Sequence, residues 1–424
     1  MTDAAPPSGS IRTAGADLAR HPVVLWVAFV LVHFVVGMLG LYGAGLPLGD
    51  VTLIYRYWVE NGLDNGIWVG IDTVWVYPVL ALVPMLIAYV FGPDFYASTW
   101  LSLVMLVDML AFAVLAGFGR DRRLAYAGWW WLGFLLLLGP VALGRIDSIT
   151  VPVALVGVLV LASYPRLAAV LLTIATWIKV WPAALLAAAV LALRSRLRIL
   201  VTAAIASALV AIVALALGAG PRILSFITQQ AGRGLQVESP IGTFWMWDAF
   251  ATHSSRSIVY YDQAILTFQV VGPGAVAAAA VMTPLLAVVT AGLLVLGAVA
   301  IRRGVPAAEL LPPLTLAITT ALIVFNKVGS PQFVTWLAVP MALGLTASLT
   351  GRGPSFRSPA VLTLVIAGLT QLIYPYLYNQ LLGLDFTLLL VLSARNVLYL
   401  VLLIWAVNAV VEAIRYEPQP LARR

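Results

Sequence analysis

Residues 167–193 read LAAVLLTIATWIKVWPAALLAAAVLAL. The stretch holds one charge, Lys179, and shows no apolar–polar alternation. Barrel strands are shorter and alternate, whereas a run of this length exceeds the ~20 apolar residues that cross about 30 Å of hydrocarbon as a helix. Backbone groups in lipid must pair within the segment, so the run reads as helical. Its middle is Trp177-Ile178-Lys179-Val180-Trp181-Pro182. A single helix would bury Lys179 near the bilayer centre, which is costly. Two half-length helices meeting at 179–182 would bring it to a water-accessible surface. Sequence leaves both open.

Similar runs recur outward in both directions, at about 22–42, 76–91, 97–117, 127–143, 149–163, 199–217, 276–301, 306–325, 333–350, 359–374 and 385–411. The expected fold class is an all-α polytopic membrane protein of about 10–12 transmembrane helices. Residues 1–15 read as a disordered cytoplasmic tail and 16–424 as one transmembrane domain. The first run is long and no small-residue cleavage site follows it, so it is not a cleaved signal peptide.

Composition agrees. Of 424 residues, 62% are hydrophobic and only 10% charged, and mean hydropathy is +1.02. Soluble domains carry roughly 25% charged residues, so a soluble enzyme, a disordered chain and a nucleic-acid-binding domain are excluded. The absence of cysteine excludes disulfides and thiolate chemistry. His21, His33 and His253 are too scattered for a metal site, and neither metal nor cofactor is expected.

The net charge of +7 rests on 24 basic residues, all arginine except Lys179 and Lys327. Arginines cluster at 12/20, 194/196/198, 302/303, 352/357 and 415/423/424. The positive-inside rule places these in the cytoplasm and segments 43–75, 218–275, 326–332 and 375–384 outside. Arg120, Arg122 and Arg123 break the scheme, because simple alternation of the earlier runs puts their loop outside. The two long external segments are expected to contain short interfacial helices and to form the active-site face.

Several residues suit chemistry. Asp50, at the start of segment 43–75, could accept a proton or cap the following helix. Arg145 and Asp147 share a turn between two apolar runs and could hold a phosphate or form a surface ion pair. Lys179, between tryptophans, suits a phosphate head group or a snorkelling lysine. Arg233, Gln236 and Glu238, followed by Trp245 and Trp247, combine rings with hydrogen-bonding groups, as sugar recognition requires; an interfacial aromatic belt is the alternative. Lys327 and Gln332 lie in the link Phe325–Phe333. Most of these residues fall on the outer face, as an extracytoplasmic active site would require. A transporter or flippase of lipid-linked glycans, with polar groups at mid-bilayer, and a non-catalytic scaffold are the competing classes.

The ordered series Asp50…Tyr55, Tyr77-Pro78, Gly144–Ser148, Lys179…Pro182 and Ser330-Pro331-Gln332 resembles GT-C fold membrane glycosyltransferases, in particular glycosyltransferase family 87. That family includes actinobacterial mannosyltransferases that use polyprenyl-phosphate mannose. The tyrosine lies five residues after Asp50 rather than four, and Val180 stands where a proline is common. The resemblance implies a plasma-membrane enzyme moving a hexose, mannose above all, from a polyprenyl phosphate to a lipid-linked or cell-wall glycan acceptor. It implies Asp50 as general base of an inverting displacement. Lys179, Arg145 and Arg233 are then candidates for the donor phosphate. Tyr55, Tyr77, Asp147, Gln236, Glu238, Trp245, Trp247, Lys327 and Gln332 are candidates for sugar or acceptor.

Overall fold

A computed structural model describes residues 18–263 and 265–415, apart from the side chains of 230 and 231. The expected tail 1–15 lies outside these residues. The chain is an all-α polytopic membrane protein. Among the described residues, nine helices are long and apolar enough to cross a membrane, and four apolar helices are shorter.

The short helices decide the topology. The run at 76–91 yields a helical stretch of only Val79–Ala88, about 15 Å long at 1.5 Å per residue, so it does not span. Removing that crossing brings the Arg120–Arg123 loop to the side of the chain's start. Contacts agree: Arg20 Nη2 donates to Tyr126 Oη at 2.8 Å, and Trp129 Nε1 donates to the Ala19 carbonyl. Trp130 Nε1 reaches the Ala360 carbonyl, which joins Arg357 to the same face. Gly353 packs on Ala308 beside Arg302 and Arg303. The arginines at 20, 120, 122, 123, 352 and 357 thus share one face.

Stretch 167–193 breaks as its sequence allowed. We label the helices around it α1, Asp147–Val160; α2, Pro165–Ile178; and α3, Pro182–Ala192. Lys179 is extended, with φ −153° and ψ 135°, and Pro182, lacking an N–H, opens the next helix. α1 and α2 form an antiparallel hairpin, so Asp147 at the start of one lies beside Lys179 at the end of the other. Fourteen residues give about 21 Å, roughly 10 Å less than the hydrocarbon thickness. A hairpin rooted at the arginine-rich face therefore holds Asp147 and Lys179 below the opposite surface.

Over that surface lie the two long segments 43–75 and 218–275. The first holds a π-helical turn, Asp50–Tyr55, running into the short helix Arg56–Asn65. The second departs from expectation. Besides the helix Thr243–Ala251 it folds an antiparallel sheet of β1 (Leu235–Gln236), β2 (Ile258–Asp262) and β3 (Thr267–Val271), in the order β1-β3-β2. Leu235 pairs with Val270 and Tyr260 with Gln269. The sheet forms because Leu235, Val237, Trp245, Met246 and Val270 bury a core of their own against the final helix, Phe386–Arg415.

Candidate functional site

Gly144 lets two segments meet. A Cβ there would stand 2.8 Å from the Leu48 side chain and 3.1 Å from the Pro47 carbonyl oxygen. That close approach brings Asp50 against Arg145. The Asp50 carboxylate is 3.3 Å from Arg145 Nε; Asp50 is 39% exposed and Arg145 only 5%. The rest of the guanidinium donates to the Pro47 and Gly144 carbonyls and, at 2.6 Å, to Tyr374 Oη. Burial opposes the charge on Arg145, but Asp50, Tyr374 and Tyr55 outweigh it and the pKa rises. Asp50 is the one accessible carboxylate of this group, and a fixed cation keeps it oriented.

One turn of chain away, Asp147 is wholly buried and Lys179 is 14% exposed, with Nζ 2.5 Å from Asp147 Oδ2. Trp336 Nε1 donates to the other oxygen at 2.6 Å. The ammonium lies 5.3 Å from the Phe333 ring centroid, 5.6 Å from Trp336 and 5.8 Å from Tyr77, an aromatic cage of cation–π contacts. Trp181 stacks on Trp336 at 5.5 Å. The lysine is therefore neutralised by Asp147, contrary to an open phosphate-binding cation.

Tyr77 links the two pairs. Its phenol is pushed up by burial and then by the Asp50 and Asp147 carboxylates, and the Arg233 guanidinium interacts with it in turn. Lys327 is buried, and its pKa falls through burial and through repulsion from Arg233. Its carbonyl accepts from the Gln236 N–H. Gly329 lies so close to Ser239 that a Cβ would stand 2.0 Å from the Ser239 nitrogen, which seats the Ser-Pro-Gln turn on the external sheet. Asp50, Arg145, Asp147, Lys179, Tyr77, Arg233 and Lys327 thus form one connected charged group on the face opposite the arginine clusters.

Other expected site residues have structural roles. Tyr55 is buried, and its hydroxyl accepts from the Ile146 N–H, fixing the Arg145 turn rather than meeting a ligand. Glu238 is buried in an ion pair with Arg395 at 2.7 Å, and Arg395 also donates to its carbonyl. Burial raises the Glu238 pKa, with Arg395 opposing. The Gln236 amide donates to Thr267, and Gln332 Oε1 accepts from Ser330. Trp245 Nε1 donates to the Pro273 carbonyl and Trp247 Nε1 to Ser393. Trp245 lies in the sheet's core, and Trp247 packs edge-on against Phe250 and Phe386. The polar atoms of Tyr55, Glu238, Trp245 and Trp247 thus already have protein partners.

The sequence reading missed Trp336, Phe333 and Tyr374 as site residues. Only Tyr374 left a signal, in the aromatic turn at 374–380. Among the described residues no His/Cys/Asp/Glu group has the arrangement of a metal site. Fold and site together define a polytopic helical membrane protein with buried ion pairs, Asp50–Arg145 and Asp147–Lys179, gathered toward one face. No protein-family model and no curated protein matches the chain.

Proposed function

We propose that the protein is a membrane glycosyltransferase acting on a polyprenyl-phosphate hexose, with mannose the first candidate, at the extracytoplasmic side of the plasma membrane. The reading rests on one observation. A partly exposed carboxylate, Asp50, is held 3.3 Å from the buried guanidinium of Arg145 and oriented by it. The positive-inside rule then assigns the arginine-rich face to the cytoplasm.

In this mechanism Asp50 accepts the proton of the acceptor hydroxyl. The hydroxyl oxygen forms a bond to the anomeric carbon, and the bond from that carbon to the phosphate oxygen breaks with its electron pair. Inversion follows from attack opposite the leaving group. Arg233 takes the leaving phosphate, ahead of Lys179, whose charge Asp147 already balances. Fixed cations at the point where charge develops are the principal source of such stabilisation. The acceptor is a lipid-linked or cell-wall glycan.

Purified Asp50→Asn protein, assayed with polyprenyl-phosphate hexose and a glycan acceptor, tests the reading. A hundredfold or greater loss of turnover is expected, on the order of a general base's contribution, with donor binding retained. Full turnover in the variant removes Asp50 as base. Donor translocation without bond cleavage by the wild type replaces transfer with transport.

A further inference from the structure

The membrane interior holds a second polar cluster that the proposed chemistry leaves unused. Asp108 lies on the helix Tyr96–Leu115, His33 on Pro22–Tyr42 and Trp131 on Ala125–Leu138. His33 and Asp108 are both buried. His33 Nδ1 is 2.9 Å from the Phe29 carbonyl oxygen. A carbonyl only accepts, so Nδ1 carries a hydrogen. His33 Nε2 is 2.8 Å from Asp108 Oδ2, a contact that needs one more hydrogen between the two atoms. Trp131 Nε1 donates to the same Oδ2 at 3.1 Å.

Every donor thus converges on Oδ2. Asp108 Oδ1 is buried and has no hydrogen-bond partner among the described residues. Asp108 borders a small cavity walled by Val104, Trp131, Phe134, Ser148, Val151 and Thr335. Its volume of about 10 Å³ meets the threshold of roughly 10–15 Å³ for a single water. The Ser148 hydroxyl donates to the Arg145 carbonyl at 2.7 Å, and Thr335 to the Gln332 carbonyl at 2.6 Å. Both hydroxyl oxygens keep lone pairs to accept a further hydrogen.

We propose that this cavity is a binding site for one water molecule, which donates to Asp108 Oδ1 and to the Ser148 or Thr335 oxygen. The water joins the buried His33–Asp108 pair to the two segments that carry the Asp147 cage, Arg145–Ser148 and Gln332–Thr335. Two polar partners satisfy the usual requirement of a buried water, and the otherwise unpaired carboxyl oxygen supplies the anchor. The inference stands apart from the glycosyl-transfer reading, since it concerns neither donor nor acceptor.

X-ray radiolysis of the full chain in lipid nanodiscs tests it, because radicals formed at a bound water oxidise the side chains beside it. Trp131 and Phe134 are expected to be oxidised severalfold faster than Trp100 and Phe29, which are as deeply buried but do not line the cavity. Val104→Leu fills the cavity from its apolar wall and alters no polar group, so it should lower labelling of Trp131 to the level of Trp100. Val151→Ile serves if that variant does not fold. Wild-type labelling of Trp131 no faster than Trp100 overturns the site, as does full labelling in a folded cavity-filled variant.

Discussion

Asp147 commits one carboxylate oxygen to Lys179 and the other to the Trp336 indole. Removing Lys179 alone leaves a buried charge with one neutral donor. Breaking a buried pair at one partner destabilises by about 3–5 kcal/mol, whereas apolar replacement of both is often neutral. Lys179→Met should therefore lower thermal stability in detergent sharply, and Lys179→Met with Asp147→Leu should recover much of it. Additive losses in that cycle would show that the two side chains act separately. Gly144 poses the matching steric case. Its Cβ would overlap the Leu48 side chain, so Gly144→Ala should push the Pro47–Asp50 segment off Arg145. Retained fold with at least a tenfold fall in turnover is the expected result of misplacing a reacting group; unchanged turnover would show that the contact does not position Asp50.

At the scale of elements, the external sheet is held by the Glu238–Arg395 pair and by Gly329. The folded chain binds the Glu238 proton more tightly than the unfolded chain, because burial outweighs the arginine. That contribution to stability is complete below the unfolded glutamate range, about 4.3, and is lost as pH rises through the folded value. Wild-type stability relative to Glu238→Gln should therefore fall as pH rises above about 4.3, the unfolded glutamate value. A relative gain over that range would mean that attraction to Arg395 outweighs burial.

Some elements were legible because the cue was local. Lys179 between two tryptophans, followed by Pro182, made a break one of the two readings open to the stretch, and α2 and α3 separate there. The run at 76–91 hid its half-length, since apolar content measures hydrophobicity and does not show where a helix stops. The sheet was illegible because β1 has two residues and the other strands five each, too short for a period. The charged group was legible as residue types and not as partners. Asp147 meets Trp336 across 189 positions, Glu238 meets Arg395 across 157, and nothing within a short window encodes such pairings.

At the scale of the molecule, the two faces differ in charge chemistry, and the difference follows from helix length. Full-length helices carry arginine at one end, where it remains solvated. The hairpin of α1 and α2 is too short to cross, so its charged end sits below the surface and must be neutralised inside the protein, as Asp147 and Lys179 are. This topology has a direct test, because the chain has no cysteine. Single cysteines at Asn65 and Asp72 should react with a membrane-impermeant maleimide in intact cells, since both lie in segment 43–75, which the positive-inside rule places outside. Cysteines at Arg122 and Arg352 should react only after permeabilisation. The decisive position is Arg122. If residues 76–91 crossed the membrane, the Arg120–Arg123 loop would share a side with Asn65 and label in intact cells. Protection of Arg122→Cys together with labelling of Asn65→Cys requires an odd number of full crossings between them, which is what a single crossing at Pro93–Leu115 provides.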